Sequence, residues 1–303
     1  MANTKAALLI TEQRNEKSVH LDQLSVRETV ELMNQEDQTV ALSVQTALPQ
    51  ISSAIEAIVQ AVKTGGRIFY IGAGSSGRLG VLDASECPPT FGVDPGLVVG
   101  LIAGGEKAIT RSIENAEDDY EAGRRELANK VTSKDAVVGI AASGSTQYVV
   151  GALQEANRIG ALTVAISCNS NTLISAEAQY RIEVPVGPEI VTGSTRLKAG
   201  TATKMVLNMI STAVMIQLGK VYGNLMVNVQ ATNIKLKDRV VRIVREATGA
   251  SEETACTIAD QAKGDARAAI LMIKYQISYE EARKELEEAN DHFGHAFISL
   301  AKR

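Results

Sequence analysis

Tryptophan is absent from this 303-residue chain, and aromatic residues make up only 4% of it. The stacking platforms that line single-stranded nucleic-acid grooves are therefore scarce. An excess of one charge is lacking too: 31 Lys and Arg stand against 35 Asp and Glu, a net charge of -4. The two signs are interspersed, so no basic field invites nucleic acid. Only three cysteines occur, Cys87, Cys168 and Cys256, far apart and without a CxxC pair, which argues against a disulfide framework or a zinc ribbon. His292 and His295 are neighbours but lack Cys or carboxylate partners at ligand spacing, so a solvated helix face is expected there and no metal site. The apolar run in Met1–Ile10 is too short for a signal-peptide core, and no other stretch reads as long enough to span a bilayer. The expected setting is reducing cytoplasm, with no membrane and no nucleic-acid partner.

What is present is an ordinary hydrophobic fraction, 45%, in a chain long enough for one large domain or two smaller ones. Ser25-Val26-Arg27-Glu28 reads as a capping box that opens a helix. Beyond Pro49, apolar residues at 51, 55, 58, 59 and 62 recur at helical spacing until Gly65-Gly66 stops them. Short apolar runs then follow at 67–71, 97–103, 136–142, 162–167 and 180–184, separated by helical stretches, one of them a long charged helix over about 107–130. Continuous apolar strands between helices predict a parallel sheet covered on both faces, an α/β doubly wound domain. Residues 198–218 read as one long helix, apolar nearly all round, which belongs in a core or a subunit interface and leans towards a homodimer. After Ala250 the pattern becomes all-helical, roughly three short helices. The predicted organisation is an N-terminal arm and helix over 1–50, a ligand-binding domain over 51–245 and a helical subdomain over 246–303.

Two of the strands run into small-residue loops, Gly72-Ala73-Gly74-Ser75-Ser76-Gly77 and Ser143-Gly144-Ser145-Thr146. At the carboxyl ends of parallel strands, such loops offer backbone N–H groups and hydroxyls to an anion. A dinucleotide fold is the alternative for the first loop, since it matches Gly-x-Gly-x-x-Gly. The acidic residue that should close the second strand is missing there, and no Walker sequence is present. The pair of loops favours a phosphate monoester. For the second loop alone, a plain turn with a helix N-cap would be the default. Of the carboxylates, Glu86 lies just beyond the helix that the first loop opens, where Pro88-Pro89 should force extended backbone. Glu117 lies in an acidic helical run where a solvated face is expected. Pattern alone does not pair them.

A resemblance does. Gly72–Gly80 continuing into Asp83-Ala84-Ser85-Glu86-Cys87-Pro88-Pro89-Thr90, the segment Gly187–Thr201, and Thr11-Glu12-Gln13-Arg14-Asn15 are similar to the N-acetylmuramic acid 6-phosphate etherases. The second of these segments also resembles a signature shared with glucokinase regulatory proteins. The resemblance implies a sugar isomerase-type (SIS) domain with a small ubiquitin-associated-like helical tail, working as a homodimer without a cofactor. It implies cleavage of the ether joining D-lactate to C3 of the amino sugar phosphate, in peptidoglycan recycling. By motif, Glu86 would be the proton donor to departing lactate and Glu117 the other catalytic carboxylate. Gly74, Ser75, Ser76, Ser143, Gly144, Ser145 and Thr146 would hold the phosphate. Position 75 is Ser where the family commonly has Thr, and Ala141 stands where the broader SIS pattern often has Ser. With the sugar ring open, the C2 proton is acidic, so one carboxylate can remove it while a protonated carboxyl assists loss of lactate from C3. Two alternatives remain open: a non-catalytic sugar-phosphate sensor and an aldose–ketose isomerase.

Overall fold

The computed structural model describes residues 9–229 and 234–302. After three single 3-10 turns in the N-terminal arm, helix α1 (Val26–Thr46) starts at the predicted capping box: Glu28 N–H donates to Ser25 Oγ, and Ser25 N–H to Glu28 Oε2. Helix α2 (Leu48–Lys63), with Pro49 in its first turn, buries Ile51, Ile58, Val59 and Val62. Five strands follow: β1 (Ile68–Gly72), β2 (Val98–Ile102), β3 (Ala136–Ile140), β4 (Leu162–Ser167) and β5 (Tyr180–Glu183). They form one parallel sheet in the order β2-β1-β3-β4-β5. Every residue of β1 and β3 is buried, as continuous apolar runs require when both faces of a sheet are covered. Between and after the strands come α3 (Gly74–Phe91), α4 (Lys107–Thr110), α5 (Tyr120–Ala128), α6 (Gln147–Ile159), α7 (Leu173–Glu177) and α8 (Lys198–Gln217). The α/β doubly wound expectation holds.

By backbone contacts the chain divides into two compact units. The first runs to Ser85 and resumes over Gly96–Ser211, and it contains the whole sheet. The second comprises Glu86–Pro95 and the chain from Thr212 onward. Its helices are α9 (Ile234–Thr248), α10 (Glu252–Gln261), α11 (Ala266–Tyr275), α12 (Tyr279–Glu288) and α13 (Phe293–Ala301).

Local structure departs from the sequence reading in five places. The helix expected over 107–130 is broken: α4 ends at Thr110, a 3-10 turn covers Ala116–Asp118, and α5 restarts where the Asp119 side chain caps Ala122 N–H. Asn115, just ahead of that turn, is itself in the left-handed region at φ +60. Helix α3 does not stop before Pro88-Pro89 but continues to Phe91. Four helices, not three, follow Ala250, because Asn290 and Asp291 both take positive φ before α13. His292 is not on a plain solvated face: it caps α13, accepting from His295 N–H, and the two rings stack with centroids 3.7 Å apart. Finally, α8 is by length and composition apolar enough to cross a bilayer, against expectation, and half of that stretch is buried in the protein. Its buried Lys198 is paired with Glu36, and its Lys204 with Asp83.

Candidate active site

Strand β1 delivers Gly72 to the top of the sheet, and the chain must turn at once into α3. Gly74 takes φ +51, a conformation that a residue with a side chain adopts at a cost. A Cβ on Gly77 would lie 2.6 Å from the Gly72 carbonyl oxygen and 2.7 Å from Ile102 Cγ1, so the helix can approach the strand only with glycine there. The first amides of α3 have no intrahelical acceptor and face the turn, where a helix N-terminus favours an anion.

The second loop leaves the adjacent strand. In an order β2-β1-β3-β4-β5 the connections diverge between β1 and β3, which is where ligands bind in open parallel sheets. Gly144 takes φ +76, and a Cβ there would lie 2.3 Å from Thr172 Cβ. Ser143 Oγ accepts from Ser145 N–H at 3.2 Å and from Ser145 Oγ at 3.1 Å. Thr146 occupies the N-cap position of α6 but makes no side-chain capping bond. Its hydroxyl is therefore not used in the way an ordinary helix start would use it.

Both loops line one cavity of about 360 Å³. Gly74, Ser75, Ser76, Ser143, Ser145 and Thr146 are in its wall, and so is Glu117. The broken helix places the last: Glu117 is carried on the 3-10 turn, still exposed, and not on a continuous helix. Arg78, one turn into α3, donates from Nε to Ile109 O and from Nη2 to Arg111 O, each at 3.0 Å, and so ties the segment leading to that turn to the phosphate-loop helix. A smaller adjoining cavity of about 220 Å³ shares Ala73, Gly74 and Glu117 with the first and has Arg78 and Arg111 in its wall.

Two expected residues are not in the wall of the larger cavity. Gly144 shapes the turn, and Glu86 stands exposed on α3, eleven residues after Ser75, where the second unit begins. Other wall residues were not singled out by sequence: Glu12, Asp118, Gly193 and Thr195. Glu12 and the 193–195 turn belong to segments that carried the resemblance, but such aperiodic polar stretches give no pattern from which to place them. The segment ahead of α8 is held firmly. Buried Glu189 accepts Lys198 N–H at 3.0 Å and Ala199 N–H at 2.9 Å, and burial holds its carboxyl above the usual range in spite of these bonds. Among the described residues, no group of three or more His, Cys, Asp or Glu side chains is placed to hold a metal ion.

A parallel sheet with hydroxyl-bearing turns at its switch point fits an SIS domain, and similarity to known families makes this an SIS-domain protein. A family model described as the glucokinase regulatory protein N-terminal SIS domain matches residues 50–157, and the SIS domain model matches residues 107–213. The N-acetylmuramic acid 6-phosphate etherase of Geobacillus thermodenitrificans is 54% identical over 93% of this chain and 96% of its own length. That of Pectobacterium atrosepticum is 52% identical over 98% of each chain, and N-acetylmuramic acid 6-phosphate etherase 2 of Lactiplantibacillus plantarum is 55% identical over 93% and 96%. The chain belongs to the N-acetylmuramic acid 6-phosphate etherase family.

Proposed function

We propose that this protein is a carbon–oxygen lyase that cleaves the C3 D-lactyl ether of N-acetylmuramic acid 6-phosphate, giving N-acetylglucosamine 6-phosphate and D-lactate in peptidoglycan recycling. The observation that carries the reading is the cavity at the β1/β3 switch point, whose wall holds residues of both hydroxyl loops and Glu117. The loops at 74–76 and 143–146 hold the phosphate with amide and hydroxyl donors, neutral groups that bind an anion without a salt bridge. Gly144 serves the same site by making the turn.

In the proposed reaction the ring-opened sugar presents an aldehyde at C1, which acidifies the C2 proton. Glu117 takes that proton, the C2–C3 double bond forms, and the C3–O bond breaks. Glu86, assigned by its motif and not by the cavity, gives its proton to the lactate oxygen and then accepts one from the water that adds at C3, while Glu117 returns its proton to C2. The adjoining cavity with Arg78 and Arg111 gives an anionic substituent at C3 room next to Glu117. The protein is further proposed to act as a cytoplasmic homodimer, without nucleic-acid or membrane partners.

Incubation with N-acetylmuramic acid 6-phosphate tests this: D-lactate should appear, and oxygen-18 from labelled water should enter C3 of the product. Absence of D-lactate overturns the reading. Label recovered in lactate instead overturns the elimination route. Near-normal turnover by both Glu86→Gln and Glu117→Gln removes the assignment of the two carboxylates.

A further inference from the structure

The N-terminal arm brings to the cavity a carboxylate that the reaction above leaves unused. The arm's backbone is fastened at two points on either side of it. Thr11, fully buried, donates its N–H to Asn169 Oδ1 at 3.4 Å and accepts from Asn169 Nδ2 at 3.0 Å on Oγ1. The same Nδ2 reaches Ala142 O at 3.1 Å and Ser143 O at 3.3 Å, so one buried amide ties the arm to the second phosphate loop. Asn15, also buried, donates from Nδ2 to Glu36 Oε2 at 2.9 Å and to Pro188 O at 3.3 Å. That second anchor ties the arm to α1 and to the segment ahead of Gly193.

Between these anchors Glu12 lines the same cavity as Ser75, Ser145 and Glu117, with Oε2 3.3 Å from the position a Cβ on Gly193 would take. Buried polar side chains are retained only when they are hydrogen-bonded, and the bonds of Thr11 and Asn15 fix the backbone that presents Glu12. The cost of ordering that backbone is thus met on folding and not on binding.

Electrostatics narrows what such a carboxylate can do. The substrate read above carries a phosphate and a lactyl carboxylate, and Glu12, Glu117 and Asp118 share the cavity wall. A further carboxylate repels both anionic groups, so it favours binding only through donors that it can accept from. On an N-acetylated amino sugar those donors are the hydroxyls and the amide N–H. We infer that Glu12 is a sugar-binding residue, its carboxylate accepting hydrogen bonds from these donors while the two loops hold the phosphate. The inference rests on the etherase reading and extends it to a side chain supplied by the N-terminal arm.

Glu12→Gln, Glu12→Asp and Glu12→Ala test it against three readouts: D-lactate release, competitive inhibition by inorganic phosphate, and calorimetric affinity for N-acetylglucosamine 6-phosphate. Loss of one charge-assisted bond should raise KM about 10- to 100-fold in Glu12→Ala. The change in kcat should stay within about threefold, as for an interaction shared by ground and transition states. Glu12→Asp should fall between the wild type and Glu12→Ala, and inhibition by inorganic phosphate should stay within about twofold, since that ion reaches only the loops. An unchanged KM in Glu12→Ala overturns the inference, as does an equal weakening of phosphate inhibition, which would mark a structural role. A fall in kcat at constant KM also overturns it by moving Glu12 into the chemistry. If the wild type releases no D-lactate, the etherase reading fails, and the calorimetric comparison still decides for or against Glu12.

Discussion

Lys198 and Glu36 show how far one side chain can be committed to holding this site. Both are buried, their Nζ and Oε2 are 2.6 Å apart, and Lys17 adds a second ion pair to Glu36 at 2.7 Å. Burial pushes the Glu36 carboxyl up, but the hydrogen bonds from Lys17, Lys198 and Asn15 outweigh it and hold the group down at about 2, against 4.5 for a free side chain. A carboxylate depressed in the folded state stabilises it above the unfolded value and loses that effect as pH falls through the folded one. The stability difference between wild type and Glu36→Gln should therefore be complete at pH 7 and shrink between about pH 4.5 and about pH 2. Urea titrations across that range check it. Lys198→Met, which leaves Glu36 buried with one cation fewer, should cost about 3–5 kcal/mol at pH 7. At the same scale, Thr146 separates capping from binding. Its hydroxyl makes no capping bond, so Thr146→Val should leave stability within about 0.5 kcal/mol while weakening phosphate inhibition about tenfold. A loss of about 1 kcal/mol with unchanged inhibition would return Thr146 to an ordinary helix start.

Helix α3 shows what an element can hide from its own sequence. Pro88 and Pro89 remove the amides that would bond Ala84 and Ser85, so local rules end the helix before them. It continues because Cys87 and Phe91 are buried, Gly92 N–H makes the local bond to Pro88 O, and Asn228 Nδ2 donates from a distance to Phe91 O and Gly92 O beyond the helix end. The stretch 107–130 errs the other way. It reads as one charged helix, but it breaks at Arg111–Asp119, where Asn115 takes positive φ, Asp119 caps α5, and Arg78 holds the Ile109 and Arg111 carbonyls from 31 and 33 residues away. Strands β1 to β5 and the capping box of α1 were legible because apolar runs and caps are local signals. The cavity position of Glu117 was not, because it follows from that break, which involves a long-range contact. The Gly72–Gly77 packing carries the element-scale prediction. Gly77→Ala forces a Cβ to within 2.6 Å of the Gly72 carbonyl oxygen. Shifting α3 off β1 should cost about 1–3 kcal/mol and raise KM more than it lowers kcat. Denaturation and steady-state kinetics on one preparation measure both, and a KM equal to that of the wild type would place the phosphate elsewhere.

At the scale of the whole chain, four of the few aromatic residues gather in one cluster. Phe293 and Phe297 pack against Tyr222 with ring centroids 5.2 Å apart in each pair, and Tyr275 meets Phe297 at the same distance, all within the second unit. Around them the core of that unit is built largely from Ala255, Ala268, Ala269, Ile270, Leu271 and similar small or aliphatic residues. The first unit has its own core under the sheet, Phe69, Ile71, Val137 and Leu153 among them. A core lying within each unit predicts two unfolding transitions in place of one cooperative step. The phosphate cavity lies wholly within the first unit, so a saturating sugar phosphate should raise one transition by linkage, by about 2.7 kcal/mol at a hundredfold excess over Kd. Phe293→Ala, which empties a fully buried site, should lower the other by about 3–5 kcal/mol. Scanning calorimetry of wild type and variant, each with and without ligand, gives four traces in which the two shifts should appear independently. A single transition moved by both changes would show that the chain unfolds as one body. Limited proteolysis then locates the boundary: a stable fragment starting near 246 supports the subdomain proposed from sequence, and one starting near 212 supports the unit defined by contacts.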